Sequence, residues 1–266
     1  INDTAKGILT PQFLSEFERG NSNISTTKFF ALLNKINVQI TEFKLHSEEL
    51  TEGTQQSFLA KYAQAYDSRN IVKLNELIDL QTQLYQMTNN ERHQHNVIIL
   101  KQRINNLAGI PYDGNDTKIV FQYLINCDEW NYYEVCLFGN SVFFMGIAQV
   151  EKLSLTAYKR SLKYEELLLN SSNFALVMMN VITYFLSKNH FEPVAALFND
   201  VDSVLEGQDY FYDKNQLNYL KGIYKIKTGA IEDGVSMCQE AIRLMRHFGA
   251  SDIANILQIE LDDLLK

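Results

Sequence analysis

The stretch Leu220-Lys221-Gly222-Ile223-Tyr224-Lys225-Ile226-Lys227-Thr228-Gly229-Ala230-Ile231-Glu232-Asp233-Gly234-Val235-Ser236-Met237-Cys238-Gln239-Glu240-Ala241-Ile242-Arg243-Leu244-Met245 decides the fold. It reads as two helices, 214–228 and 231–247, joined by a tight turn at Gly229. Gly222, Gly234 and Ala241, with Cys238, are small enough for the two helix backbones to approach closely. From Gln55 onward the apolar residues recur at the same helical period. Further helices are expected at 53–67, 69–87, 91–107, 117–127, 131–148, 151–169, 173–187, 191–206 and 251–265. The breakers fall between them, at 108–114, 170–172 and 207–209, and Asp213 with Gln216 makes a capping box.

The register of 220–245 returns more weakly at 174–206, with Asn189 at the turn, and in diverged form at 118–147, with Trp130 near the turn. These offsets resemble those of tetratricopeptide repeats, so the expected fold is all-α: a partial phage-repressor-like helix-turn-helix over 1–45, then an α-solenoid over 46–266. Composition agrees. With 46% hydrophobic and 21% charged residues the chain is globular, and 3 prolines with 12 glycines are too few for many short strands. The net charge of −8 excludes a uniformly basic coat, yet residues 1–45 hold five cations against four anions, so 5 − 4 = +1. The two longest apolar stretches, near 142–150 and 174–186, are too short to span a membrane.

Near the start, Thr10 can cap a short helix, Pro11 suits its first position, and Gly20 can end it. Leu14 and Phe17 would point inward, leaving Gln12, Phe13, Ser15 and Glu16 outside. A second helix, 26–36, is capped by Ser25, and 38–43 closes the unit. The short helix resembles the recognition helix of a phage-repressor-like domain, the alternative being a surface helix of any α-protein. On that reading Thr10, Gln12, Phe13 and Ser15 face DNA while Arg19 and Lys28 hold its backbone. Glu16 would repel phosphates unless paired. The chain opens on Ile1, and such domains carry further helices upstream, so the expectation is either that about thirty more residues precede it or that this segment is poorly ordered.

In the repeat register Asn180 falls on the inner side of a helix, with Leu176, Met179 and Thr183 around it. An amide among apolar residues both donates and accepts, which matches one peptide unit of an extended ligand, or else it is satisfied by a neighbouring helix. Asn140 stands in a similar apolar run.

Trp130-Asn131-Tyr132-Tyr133-Glu134-Val135-Cys136-Leu137-Phe138-Gly139-Asn140, the Phe17-Glu18-Arg19-Gly20 segment and Tyr224-Lys225-Ile226-Lys227-Thr228-Gly229 together resemble the Rgg/GadR/MutR transcriptional regulators of Gram-positive bacteria. The resemblance spans nearly the whole chain. It implies a cytoplasmic homodimer that reads promoter DNA and whose repeat domain binds a short hydrophobic signalling peptide, as in quorum sensing. It also implies that Asn140, Asn180 and Tyr212 lie in the peptide groove, with Phe143, Met179 and Thr183 lining it. Some members carry an arginine where Phe143 stands, so either the ligand here is more apolar or the site is not a peptide site.

An enzyme finds no support: there is no phosphate-binding glycine loop or nucleophile pattern, and His93 and His95 are read as solvated residues off a common face. No metal or other cofactor is implied. Cys127, Cys136 and Cys238 fit no paired spacing and are read as reduced core residues. The competing class is a helical repeat scaffold that binds proteins without DNA. Helix 251–265 carries more apolar positions than one face needs, so a neighbour, within the chain or across a two-fold axis, should cover the excess.

Overall fold

The computed structural model describes residues 2–45, 54–161, 171–207 and 209–266. Backbone contacts divide the chain into two compact units, Ile1–Asn70 and Ile71–Lys266. The border expected at 45/46 abuts residues 46–53, which lie outside the described residues.

The first unit holds α1 (Asn2–Ala5), α2 (Pro11–Glu18), α3 (Thr26–Lys35), α4 (Ile40–Leu45) and α5 (Gln55–Asp67). Local chemistry sets the bounds of α2 and α3. The Thr10 hydroxyl accepts from the Phe13 N–H at 3.2 Å, and Ser25 accepts from Lys28 at 3.4 Å. Gly20 leaves α2 at φ 78°, a left-handed conformation that glycine takes without steric cost. Ala5, Leu14 and Leu32 form the small core, with Ile8, Leu9, Phe17 and Ile24 against it. Phe43 of α4 sets its ring edge on Phe29 at 5.0 Å.

The second unit continues with α6 (Ile71–Thr88), α7 (Glu91–Leu107), α8 (Gly114–Asn126), α9 (Tyr132–Ser141), a 3-10 turn (Val142–Phe144), α10 (Ile147–Ser161), α11 (Ser171–Ser187), α12 (Val194–Leu205), α13 (Phe211–Lys227), α14 (Ile231–His247) and α15 (Ser251–Leu264). Neighbours in sequence pack on each other: α6 on α7, α11 on α12, α13 on α14, α14 on α15. At the α13–α14 crossing, a Cβ on Gly222 would sit 2.6 Å from Cys238 Sγ, and one on Gly234 would sit 2.6 Å from the Gly222 carbonyl oxygen. Only glycine allows that approach, as the repeat register anticipates. Asn189 takes φ 53° at its turn.

Several expectations are corrected. The helix expected over 131–148 stops at Ser141, and a new one starts at Ile147. The carbonyls that would continue it are bonded elsewhere: Thr117 donates to Phe144 O at 3.1 Å and Tyr184 to Met145 O at 2.7 Å. The end of helix 151–169 lies outside the described residues beyond Ser161. Asp213 is not the N-cap, because α13 begins two residues earlier at Phe211, after Tyr210, and places Asp213 inside the first turn. His93 and His95 are not solvated but 5% and 2% exposed. Their partners come from other helices: His93 Nδ1 meets Gln81 Oε1 at 2.8 Å, and His95 Nδ1 meets the Tyr133 hydroxyl at 2.7 Å. Burial disfavours the imidazolium, lowering the His95 pKa to about 4 and also lowering that of His93, to which the Arg92 charge adds. Of the cysteines, all free, Cys238 is buried, whereas Cys127 and Cys136 are half-buried; Cys127 sits at a helix end and donates to Glu129 O at 3.2 Å.

Candidate functional site

The segment 130–140 builds the surroundings of the candidate site in the second unit. The Trp130 indole is fully buried, donates Nε1–H to Leu124 O at 3.1 Å, and meets the Phe138 ring edge-on at 5.5 Å. Glu134 accepts from the Asn131 N–H at 2.9 Å and from the Tyr123 hydroxyl at 2.9 Å, so both carboxylate oxygens are held. These contacts fix α9 before its last turn. There Gly139 brings α9 against α11, since a Cβ at that position would lie 2.6 Å from Val177 Cγ2.

That approach joins the two asparagines. Asn180 Nδ2 on α11 reaches Gly139 O at 3.5 Å, and Asn140 Nδ2 donates to Cys136 O, one turn back on its own helix, at 2.8 Å. In both cases an amide N–H is used within the protein. Among the described residues neither Oδ1 has a hydrogen-bond partner, and both side chains are half-buried. The pair therefore offers two acceptor oxygens, and each amide keeps a second N–H besides the one used within the protein. A ligand N–H is the natural complement.

Thr183 lies one turn beyond Asn180 and donates its hydroxyl to Met179 O at 2.9 Å. Leu176, 43% exposed, completes the face through Leu176, Asn180 and Thr183 at helical spacing. Met179 is corrected: it is fully buried, because a helix turns about 100° per residue and carries position 179 to the core side of α11. Phe143 is half-buried and meets the Tyr184 ring at 6.3 Å. Tyr212 stands exposed in the first turn of α13, and among the described residues no hydrogen bond or ring contact joins it to Asn140 or Asn180. Burial and the neighbouring Asp213 raise its hydroxyl pKa.

One residue of this cluster is absent from the sequence expectation. Arg103 on α7 donates Nη2–H to Asn140 O at 3.3 Å and holds its guanidinium 5.8 Å from the centre of the Phe143 ring. A cation thus stands beside Phe143 although α9 and its 3-10 turn supply none there. Periodicity marks Arg103 as the polar side of a helix and gives no hint of a contact about forty positions away.

In the first unit, Gln12 and Phe13 of α2 are exposed and Ser15 is half-buried. Thr10, Phe13 and Lys28 come together around one depression with Gly7, Ile8 and Leu9. Thr10 is already engaged as the α2 cap. Glu16 is paired after all: Arg19 approaches it at 3.5 Å and Asn21 Nδ2 donates to it at 3.1 Å. Its charge is offset on the outer side of α2, and Arg19 is held near the exposed end of that helix.

Residues 79–259 match the family model for the C-terminal domain of the HTH-type transcriptional regulator Rgg. Solved structures share the fold across almost the whole chain. A protein of Listeria monocytogenes solved as a candidate transcriptional regulator superposes with a TM-score of 0.83 at 21% identity, covering 99% of this chain and 91% of the other. The SHP pheromone receptor Rgg2 of Streptococcus dysgalactiae gives 0.77 at 20% identity, with coverage of 99% and 94%. The PrgX/cCF10 complex gives 0.69 at 15% identity, with coverage of 99% and 86%.

Proposed function

Because the chain belongs to the Rgg family of helix-turn-helix transcriptional regulators, we propose that its second unit senses a short, largely apolar signalling peptide and that α2 reads promoter DNA. It is a regulator by family and not an enzyme. The observation that carries the peptide reading is the pair of half-buried amides Asn140 and Asn180, whose oxygens have no partner among the described residues, at the glycine contact between α9 and α11. An extended peptide of about eight residues would gain affinity from Leu176, Phe143 and the Thr183 methyl, and register from the two oxygens. Tyr212 would contact it from the flank. Similar folds in an SHP pheromone receptor and in a PrgX/cCF10 complex support the assignment.

On the DNA side, Gln12 and Phe13 would meet base edges, Ser15 and Thr10 the groove rim, and Arg19 and Lys28 the phosphates. The working form would be a cytoplasmic homodimer. No helix among the described residues is long and apolar enough to cross a membrane. Among the described residues nothing fully covers the excess apolar face of α15: Ile253, Ile256 and Ile259 are 37%, 57% and 61% exposed. A second copy is the partner that a two-fold assembly supplies.

The test is isothermal titration of a cognate peptide, identified from a short open reading frame beside the gene, into the wild type and Asn180→Ala. Loss of the amide should weaken binding by about 1–3 kcal/mol while the melting temperature holds. Equal affinity would return Asn180 to a purely structural part. In a gel shift, a steep fall of affinity with salt separates the regulator from a scaffold that ignores DNA.

A further inference from the structure

We infer that α2 selects thymine: the 5-methyl edge of one base seats in an apolar depression between Phe13 and the turn that precedes α2. This deepens the reading of α2 as the helix that meets promoter DNA, and it rests on that reading.

Gly7, Ile8, Leu9, Thr10, Phe13 and Lys28 line the depression. A single exposed ring needs no explanation, but Phe13, 40% exposed, does not stand alone: half-buried Ile8 and Leu9 share its depression. The backbone there is already engaged. The Ile8 and Leu9 N–H groups donate to Ala5 O, each at 2.9 Å, the Phe13 N–H donates to the Thr10 hydroxyl, and the Thr10 carbonyl accepts from Leu14 at 3.0 Å. The walls therefore offer a base apolar contact rather than hydrogen bonds. Charge at the rim makes the occupant a nucleic acid. Lys28 lines the depression and Lys6 precedes its turn, and among the described residues neither has an ion-pair partner. The nearby Glu16 carboxylate, one turn along α2, is instead taken up by Arg19 and Asn21. An apolar wall below unpaired cations fits a base edge beneath its phosphate. Thymine alone among the four bases carries a methyl group into the major groove, and an aromatic ring is a suitable contact for it. Cytosine in that place would bring no methyl group and would desolvate an amino group against the same walls.

Deoxyuridine lacks only the methyl group, so it isolates this contact. A duplex selected by the full chain from a randomised library is resynthesised with deoxyuridine in place of each thymidine in turn, and affinity is read by fluorescence anisotropy. At one thymine, or one in each half of a symmetric duplex, uracil should bind about fourfold more weakly, the worth of one buried methyl group. Phe13→Ala should bind the thymine and uracil duplexes alike, and Phe13→Leu should keep part of the difference. Lys28→Gln should weaken both duplexes by the same factor and flatten the salt dependence. A duplex that binds although no thymine in it matters, with Gln12→Ala still relaxing its selection, would overturn the methyl site and leave α2 as the reading helix. A Phe13→Ala variant that melts lower without DNA, yet keeps the preference for thymine over uracil, would assign the ring to a protein contact and overturn the site as well. If the library yields no duplex, both the site and the DNA reading fall. The wild-type comparison needs no variant, so loss of fold cannot imitate the expected result.

Discussion

The α13–α14 hairpin and the contact of α9 with α11 both use glycine to bring two helices together, but they leave different surfaces behind. At the hairpin, Gly222 and Gly234 face each other's backbone, and Cys238, Ala241 and Ile242 close the space until all are buried. At α9, the three atoms nearest a Cβ on Gly139 all belong to the Val177 side chain, and the amide oxygens of Asn140 and Asn180 beside it have no partner among the described residues. The first contact is spent wholly on stability. The second gives up some sealing to hold two amides in a fixed place, which suits a surface that must recognise something.

The sharpest way to break the comparison is to widen the hairpin. Gly234→Val places a branched side chain where the first added carbon already lies 2.6 Å from the Gly222 carbonyl oxygen and 2.8 Å from the Ile226 nitrogen. Neither backbone atom can move without the helix moving. The expected loss is about 3 kcal/mol or more, read from the urea midpoint. If the midpoint holds, the two helices are not as close in solution as drawn.

Next in size is a pH effect on the other side of α9, where His95 packs against Tyr123 and Tyr133. Its pKa in the fold is about 4, below the ordinary 6.5, because burial disfavours the charged ring. The unfolded chain therefore binds the extra proton first as pH falls, and stability drops from pH 6.5 downward until the native ring protonates too. The drop should reach about 1–3 kcal/mol by pH 4, and His95→Gln should remove most of its steepness. An unchanged slope in the variant would assign the effect to other groups.

A smaller effect is expected where glycine meets a side chain instead of backbone. Gly139→Ala should cost about 1–2 kcal/mol, since Val177 must shift. Val177→Ala in the same chain should recover part of that loss, a positive coupling that the hairpin glycines cannot show. Additive losses would mean that the α9 contact is as rigid as the hairpin.

These regions also differ in how far the sequence reveals them. The caps at Thr10 and Ser25, the exit at Gly20 and the hairpin glycines are local, so residue type and spacing suffice. Within the candidate site the face through Leu176, Asn180 and Thr183 follows from helical period, whereas Met179, one step round the helix from Asn180, belongs to the core. Long-range partners were not legible. His93 and His95 look solvated until Gln81 and Tyr133 arrive from other helices, and Arg103 gains its meaning only beside Phe143. The break after Ser141 is of the same kind, because the carbonyls of Phe144 and Met145 are claimed by Thr117 and Tyr184.

The smallest expected change tests the comparison most directly, because an asparagine stands in each region. Asn215 is 7% exposed and donates Nδ2–H to Ala241 O at 2.9 Å across the hairpin. Asn180 is half-buried, and its link to Gly139 O is 3.5 Å, at the long end for such a bond. Asn215→Ala removes a good buried bond and opens a void, so it should cost about 1–2 kcal/mol of folding stability. Asn180→Ala removes a weak bond at a position water can reach, so its folding cost should stay below about 0.5 kcal/mol. Urea unfolding of the two variants side by side gives the contrast without any ligand. Similar losses for both would mean that Asn180 braces α9 against α11 as Asn215 braces the hairpin. The amide on α11 would then be explained by the fold, and the case for a recognition surface would fall to Asn140 alone.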